Sequence, residues 1–120
     1  MHLKGNKKKT VQKEDTALEH GSGNLLVFAT PAMIALMENA AQKSVSELLP
    51  GGFTTVGTGI SIKHIKATPV GLNVEAVSEL LEHDGRKLVF SVEAFDDNGK
   101  IGFGTHTRYI VEEKKFLDSI

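Results

Sequence analysis

A single carboxylate stands in the most apolar stretch of the chain. Residues 29–41 read ATPAMIALMENAA, and Glu38 is the only charged residue among them. Such a segment predicts a helix that is buried on nearly all sides, where an ionised carboxylate is costly unless it is paired or hydrogen-bonded. Buried carboxylates concentrate at functional sites, although structural ion pairs give the same pattern. Two interpretations therefore stay open, a catalytic or ligand-binding Glu38 and a structural one.

Two other polar side chains could act together with this carboxylate. In the segment that follows the helix, a period of two places His64 on one face with Thr58, Ile60 and Ile62, and this face points towards the helix. A lone His on an apolar face is more often a satisfied core residue, but a facing carboxylate would stabilise its imidazolium for acid–base chemistry. Thr30 supplies a hydroxyl at a helix start, where free backbone N–H groups can stabilise an oxyanion. Its structural alternative is a simple helix cap.

The helix that carries Glu38 has clear boundaries in the sequence. Thr30 has the residue type of an N-cap, and Pro31 suits the first helical position because its missing N–H is not needed there. The apolar pattern continues to about Leu49, and Pro50 followed by two glycines then ends the helix.

The sequence that follows this helix predicts strands. They are indicated over residues 54–67, 72–82, 87–95 and 100–113, with hairpin turns at Asp84-Gly85 and Asn98-Gly99. A fifth strand could lie over residues 10–17. Gly57 and Gly59 flank Thr58 early in the first long strand, where glycine either admits a ligand or marks a bulge. A helix and strands segregated along the chain indicate an α+β fold, with an antiparallel sheet wrapped around the helix.

Composition excludes several classes of function. The 120 residues indicate a basic segment at 1–9, either solvated or in contact with an anionic ligand, and a single domain at 10–120. A net charge of −1 and the absence of Trp argue against nucleic-acid binding. The absence of Cys and of metal-ligand spacing among the five His residues argues against disulfides and a metal site. No segment has the apolar length of a membrane span or a signal peptide, so we expect a cytoplasmic protein without membrane contacts.

Three segments together resemble the hot-dog-fold acyl-CoA thioesterases of the fluoroacetyl-CoA thioesterase-like family. They are VFATPAMIALMENAA, GTGISIKHIKATPVGLNVEAVSEL and GFGTHTRYIV, and the similarity covers roughly residues 10–114. Their order is more specific than any single motif: a hydroxyl residue, a Glu eight positions later, a Gly–Thr pair, then a His followed by A-T-P-x-G. The resemblance implies a hot-dog fold and a homodimer, or a higher oligomer, with active sites at the subunit interface. It implies no metal and no cofactor other than the coenzyme A of an acyl-CoA substrate.

Residue roles follow from the same resemblance. Thr30, Glu38 and His64 occupy the positions of the family's catalytic Thr, Glu and His. Gly57, with Thr58 beside it, and Arg108 match positions that we assign to substrate binding. The resemblance implies hydrolysis of a small acyl-CoA thioester to free acid and CoA. Glu38 or Thr30 could be the nucleophile, or Glu38 could activate water, while His64 polarises, protonates or positions the reacting groups.

Helix geometry constrains this assignment. Eight helical residues span ~12 Å, so Thr30 and Glu38 cannot touch if both lie on one straight helix. Either the helix begins after Thr30, or the site combines residues from two subunits. Fluoroacetyl selectivity is not carried over, because the aromatic lid residues that precede the helix in specialised members are replaced by Gly23-Asn24-Leu25.

Two other functions fit the same scaffold. One is a non-catalytic dimer that binds an acyl-CoA or another small ligand. The other is hydration of an enoyl thioester, but hot-dog hydratases usually place an Asp/His pair close together near the helix, and the sequence contains no such pair.

Overall fold

A computed structural model describes residues 3–120 of the chain. In chain order the elements are β1 (Lys4–Thr10), a 3-10 helix (Lys13–Asp15), α1 (Ala17–His20), α2 (Thr30–Ser46), β2 (Phe53–His64), β3 (Asn73–Asp84), β4 (Lys87–Asp96), β5 (Gly99–Glu112) and α3 (Glu113–Asp118). The strands form one antiparallel sheet in the order β1-β3-β4-β5-β2, and α2 packs against it. None of the helices in this described part is long and apolar enough to cross a membrane.

The four predicted strands after the helix are confirmed, and so are their hairpins. Gly85 and Gly99 adopt positive φ values of 61° and 132°, which their lack of a Cβ permits. These tight turns make β3, β4 and β5 sheet neighbours. Along β3 the alternation predicts Val74 and Ala76 on one face, and both are buried.

The core lies between α2 and the inner face of the sheet. The buried helix residues are apolar and recur at helical spacing: Met33, Leu36, Met37, Ala40, Ala41 and Val45. They form one cluster with apolar residues of the sheet, chiefly Val74, Ala76, Leu88, Phe90, Val92, Ala94 and Ile101. Their burial fixes the position of α2 against the sheet. This packing positions the polar residues of α2 relative to those of β2 and β5.

The prediction that α2 is buried on nearly all sides is wrong for a single chain. Pro31, Ala35, Asn39 and Lys43 are exposed and lie four residues apart, so they form one uncovered face. The sheet of the chain covers only the opposite face of the helix. Glu38 lies at the margin between these faces and is half-buried.

The start of α2 differs from the prediction by one residue. Ala29 is the N-cap and makes no side-chain cap, while Thr30 is the first helical residue. The Ala29 N–H instead donates to the Asp15 carbonyl at 2.9 Å, which fixes the angle at which the chain enters the helix. Pro31 is tolerated because it lies within the first turn, whose N–H groups have no partner in the helix. The helix ends at Ser46 and not near Leu49, where the chain continues in a turn.

The N-terminal segment also differs from the prediction. Residues 1 and 2 of the basic segment lie outside the described residues, but Lys4–Thr10 form β1, paired with β3 along its whole length. The strand suggested at 10–17 is therefore wrong, and those residues hold short helical turns. Gly5 explains the close approach of β1 to α2, because a Cβ there would collide with the Ala40 carbonyl oxygen.

A β-bulge interrupts the pairing of β2 with β5. The register shifts between Gly57 and Gly59, which makes Thr58 the extra residue. Thr58 is exposed, so its predicted place on the face of Ile60 is wrong. Ile60, Ile62 and His64 are half-buried and share the inner face, as the period of two predicts. Within the described chain, β2 is an edge strand with one side unpaired.

Candidate active site

The Thr30 hydroxyl and the His64 imidazole form a hydrogen-bonded pair at one end of β2. Thr30 Oγ1 lies 2.8 Å from Nδ1 of His64. Since Ala29 is the cap residue, the Thr30 side chain is free to make this contact. Nε2 of His64 is buried and has no hydrogen-bond partner within residues 3–120, so one polar ring atom is left unsatisfied in the single chain.

Burial sets the protonation state of this imidazole. Desolvation lowers the pKa of His64 from its ordinary value of 6.5, and the nearby backbone of Lys66 offsets part of the change. A neutral ring has one donor and one acceptor nitrogen. If Nδ1 accepts the Thr30 hydroxyl proton, Nε2 carries a proton that it can donate to a bound group.

A cleft of about 380 Å³ lies beside this pair. Its wall combines apolar and polar residues: Ala17, Val27, Phe28, Ile65 and Ala67, and Ser22, Lys66, Thr30 and His64. Such a mixed lining suits a small ligand that has an apolar part and a polar part.

Gly57 marks a second polar cluster, at the other side of the bulge. A Cβ at this position would lie 2.9 Å from Glu38 Oε2, 3.2 Å from Arg108 Nη1 and 3.2 Å from His106 Cε1. Glycine thus allows these three side chains to approach the β2 backbone more closely than a Cβ would permit. An open groove of about 290 Å³ adjoins the cluster and is lined by Ala35, Glu38, Asn39, Gln42 and Arg108.

Arg108 is held rigidly in this cluster. Its side chain is 7% exposed, its Nε donates to Thr55 Oγ1 at 2.8 Å, and its Nη2 donates to the Thr55 carbonyl at 2.9 Å. Nη1 lies 3.1 Å from Nε2 of His106. Burial lowers the pKa of Arg108 while the nearby Glu38 carboxylate raises it, and an arginine remains protonated in proteins.

His106 was not predicted as a site residue from the sequence. Its side chain is 1% exposed, and Nδ1 lies 2.8 Å from the Gly59 carbonyl oxygen. Desolvation is the main cause that lowers the pKa of His106, and the positive charge of Arg108 lowers it further. The Gly59 hydrogen bond and Glu38 act in the opposite direction. The signal that could have revealed His106 is its spacing of two from Arg108, which puts both on one face of β5.

The two clusters do not meet within one chain. Thr30 and Glu38 are separated by ~12 Å along α2, and Gly57 and His64 by ~23 Å along β2. The structure therefore brings Thr30 to His64, and Glu38 to Gly57 and Arg108. A later helix start is excluded, because α2 begins at Thr30.

Thr58, the remaining predicted site residue, belongs to neither cluster. Its hydroxyl donates to the Thr107 carbonyl at 3.4 Å, and its side chain is exposed. Within residues 3–120, no three His, Asp or Glu side chains are arranged to hold a metal ion.

Comparison with known proteins places the chain in a family. The sequence profile of FlK, the fluoroacetyl-CoA-specific thioesterase, matches residues 11–114. The chain belongs to this family. The fluoroacetyl-CoA thioesterase of Streptantibioticus cattleyicolor is 41% identical over 90 residues, which are 75% of this chain and 65% of that protein. The aligned part thus spans slightly less than two thirds of that relative.

Solved structures confirm the predicted hot-dog fold of this FlK-family chain. A structure of the fluoroacetyl-CoA thioesterase FlK superposes with a TM-score of 0.90 at 32% identity, covering 97% of this chain and 90% of that one. A point mutant of FlK in complex with fluoroacetate and CoA gives 0.88 at 33% identity, covering 94% and 95%. A thioesterase-superfamily protein of Thermus thermophilus shares the fold, with a TM-score of 0.90 at 24% identity over 97% and 86% of the two chains.

Proposed function

We propose that this protein hydrolyses the thioester of a small acyl-CoA and releases the free acid and CoA. The observation that carries the proposal is the Thr30–His64 pair, with its buried and unpartnered Nε2 beside a cleft of mixed polar and apolar lining. Membership of the FlK family supports it, as does the binding of fluoroacetate and CoA by a point mutant of FlK.

The working site is assembled from two subunits in this proposal. β2 is an edge strand of 12 residues, and a long unpaired edge is ready to pair with a second copy. Antiparallel pairing of two β2 strands centred on Ser61, with Thr58 as an extra residue, would set Gly57 opposite His64 of the partner subunit. Glu38 would then face the partner's Thr30 and the partner's His64 across the interface.

The uncovered face of α2 supports the same assembly. It contains Ala35 and Asn39, which adjoin Glu38 in the open groove beside Arg108. A second subunit placed along β2 would cover this groove, exclude water from Glu38 and strengthen its interaction with a bound thioester.

Each cluster supplies a different part of the hydrolysis. Glu38 either attacks the acyl carbon, giving an anhydride that water then opens, or removes a proton from a water that attacks the same carbon. In both routes the C–S bond breaks, the CoA sulfur gains a proton and the acyl carbon gains the oxygen of water. His64, oriented by Thr30, delivers the proton to sulfur, and the Arg108 guanidinium stabilises charge on the carbonyl oxygen.

A free-thiol release assay tests the proposal. Wild-type protein is assayed against a panel of short, branched and aromatic acyl-CoAs, beside Glu38→Gln and the control Glu47→Gln, an exposed glutamate at the end of the same helix. We expect turnover by the wild type and the control, and its loss in Glu38→Gln. Binding of an acyl-CoA without turnover of any panel member would instead establish the non-catalytic binding function.

A further inference from the structure

We propose that His106 is a positioning residue, whose imidazole accepts a hydrogen bond from Arg108 and fixes the guanidinium beside Glu38. The proposal rests on the proposed function, because it assigns a task to a residue behind that site. His106 itself cannot contact the substrate, since it is 1% exposed and both of its ring nitrogens have partners in the chain.

The hydrogen bonds determine the tautomer of His106. The Gly59 carbonyl oxygen can only accept, so Nδ1 must carry the proton. An arginine nitrogen can only donate, so Nε2 must present its lone pair to Nη1 of Arg108. A protonated ring would bring a donor against a donor and place two cations in contact. The ring therefore functions as a neutral acceptor, and the burial of His106 favours that form.

The ring is also fixed in space. Phe90 stacks on it with the ring centroids 6.3 Å apart and an angle of 30° between the planes. Together with the Gly59 hydrogen bond, this contact leaves the imidazole one orientation. Nε2 is thus a rigid acceptor aimed at Arg108.

The Arg108 guanidinium has N–H groups that are not used in hydrogen bonds within the described chain. Of the five N–H groups of a guanidinium, Thr55 accepts two and His106 accepts one. One N–H remains on each terminal nitrogen. Nη1 borders the space left by the missing Cβ of Gly57, which Glu38 Oε2 also borders. A carbonyl oxygen bound in the groove that Glu38 and Arg108 line would meet the free N–H of Nη1, in an orientation that His106 sets.

Two substitutions of similar size separate positioning from mere packing. His106→Gln can keep an acceptor near the place of Nε2, whereas His106→Asn can keep the donor near the place of Nδ1 but has no atom that reaches Arg108. We expect kcat to fall roughly 10- to 100-fold in His106→Asn, because a misplaced catalytic group costs rates of this order, with KM little changed. His106→Gln should retain most of kcat.

Nuclear magnetic resonance measures, independently of turnover, how firmly the Arg108 guanidinium is held. The chain contains two arginines, Arg108 and the exposed Arg86, so arginine-selective ¹⁵N labelling yields two Nε–H signals. Arg86→Lys assigns them, and Arg86 is the internal control. We expect the Arg108 Nε–H of the wild type and of His106→Gln to exchange slowly with solvent, and that of His106→Asn to exchange rapidly.

The outcomes are distinct. The positioning role would be overturned if His106→Gln and His106→Asn had equal kcat and equal exchange of the Arg108 Nε–H. It would also be overturned if both variants lost kcat while the Arg108 signal stayed unchanged. If the wild type releases no thiol from any acyl-CoA, the proposed function fails. The exchange of the Arg108 signal then still decides whether His106 fixes the guanidinium.

Discussion

The first residue of α2 is tied to the last residue of β2, because Thr30 Oγ1 lies 2.8 Å from His64 Nδ1. One hydrogen bond thereby links the start of the helix to the end of the edge strand. The contact depends on Ala29, not Thr30, being the N-cap residue. The Thr30 hydroxyl is consequently committed to His64, and its removal should affect chemistry more than folding.

Substitution of Thr30 by Val should lower kcat by about 100-fold with a small effect on the free energy of unfolding. The exposed side chain contributes no cap and little burial, whereas losing the orientation of a general acid–base group costs rates of this order. Thr30→Ser, which keeps the hydroxyl, is the matched control and should retain most activity. Steady-state kinetics and thermal unfolding of both variants test this, and equal activity of Thr30→Val and wild type would contradict it.

Gly57→Ala should reduce kcat roughly tenfold or more, because the added methyl group would lie 2.9 Å from Glu38 Oε2 and force the carboxylate to move. Gly59→Ala is a close control, since a Cβ there meets no atom within 4 Å. Both sites belong to the same bulged strand, so a general weakening of β2 would affect both variants. Similar kinetics for the two alanine variants would show that the position of the Glu38 carboxylate beside Gly57 does not matter for turnover.

The free energy of unfolding should decrease as the pH falls below about 6.5, the ordinary pKa of His. Burial lowers the pKa of His106 in the folded protein, so below that value the unfolded chain binds more protons. This contribution to stability is complete above the unfolded pKa and is lost as the pH falls. In His106→Gln the decrease should be smaller, while His64 still contributes. Urea unfolding at about pH 7.5 and about pH 5 measures the difference, and an identical pH dependence in both proteins would count against the prediction.

Mixed dimers test whether two subunits share one site. Combining Glu38→Gln and His64→Ala subunits should restore activity, because one of the two sites in a mixed dimer then has both native residues. Random exchange of subunits would give up to roughly a quarter of the wild-type sites.

A second mixture provides the control for this experiment. Thr30→Ala and His64→Ala remove residues of the same pair, so their mixed dimers should stay inactive. Failure of the first mixture to recover activity, with subunit exchange verified, would place the whole site within one chain.

Local patterns predicted most of the fold for identifiable reasons. Strict alternation along β3 and turn residues at Gly85 and Gly99 determine strand faces and hairpins without reference to the rest of the chain. β1 escaped prediction because its lysine-rich sequence has little apolar alternation. Its stability comes from backbone pairing with β3 and from the close approach of Gly5 to α2.

The candidate site was predicted less completely than the fold. Thr30 and His64 do form a pair, but periodicity along separate elements could not show that Glu38 lies in a different cluster. The spacing of His106 from Arg108 places both on one face of β5, but it could not show the hydrogen bonds of His106 to Gly59 and Arg108.

The bulge at Thr58 determines which face of the sheet each end of β2 presents. Gly57 and His64 are seven residues apart, an odd number, so a regular strand would turn them to opposite faces of the sheet. The one extra residue restores the phase, and both positions face α2. Deleting Thr58 would therefore remove no side chain from either cluster, yet it would rotate one of them out to solvent. In this fold a single backbone insertion determines whether one strand can serve both clusters.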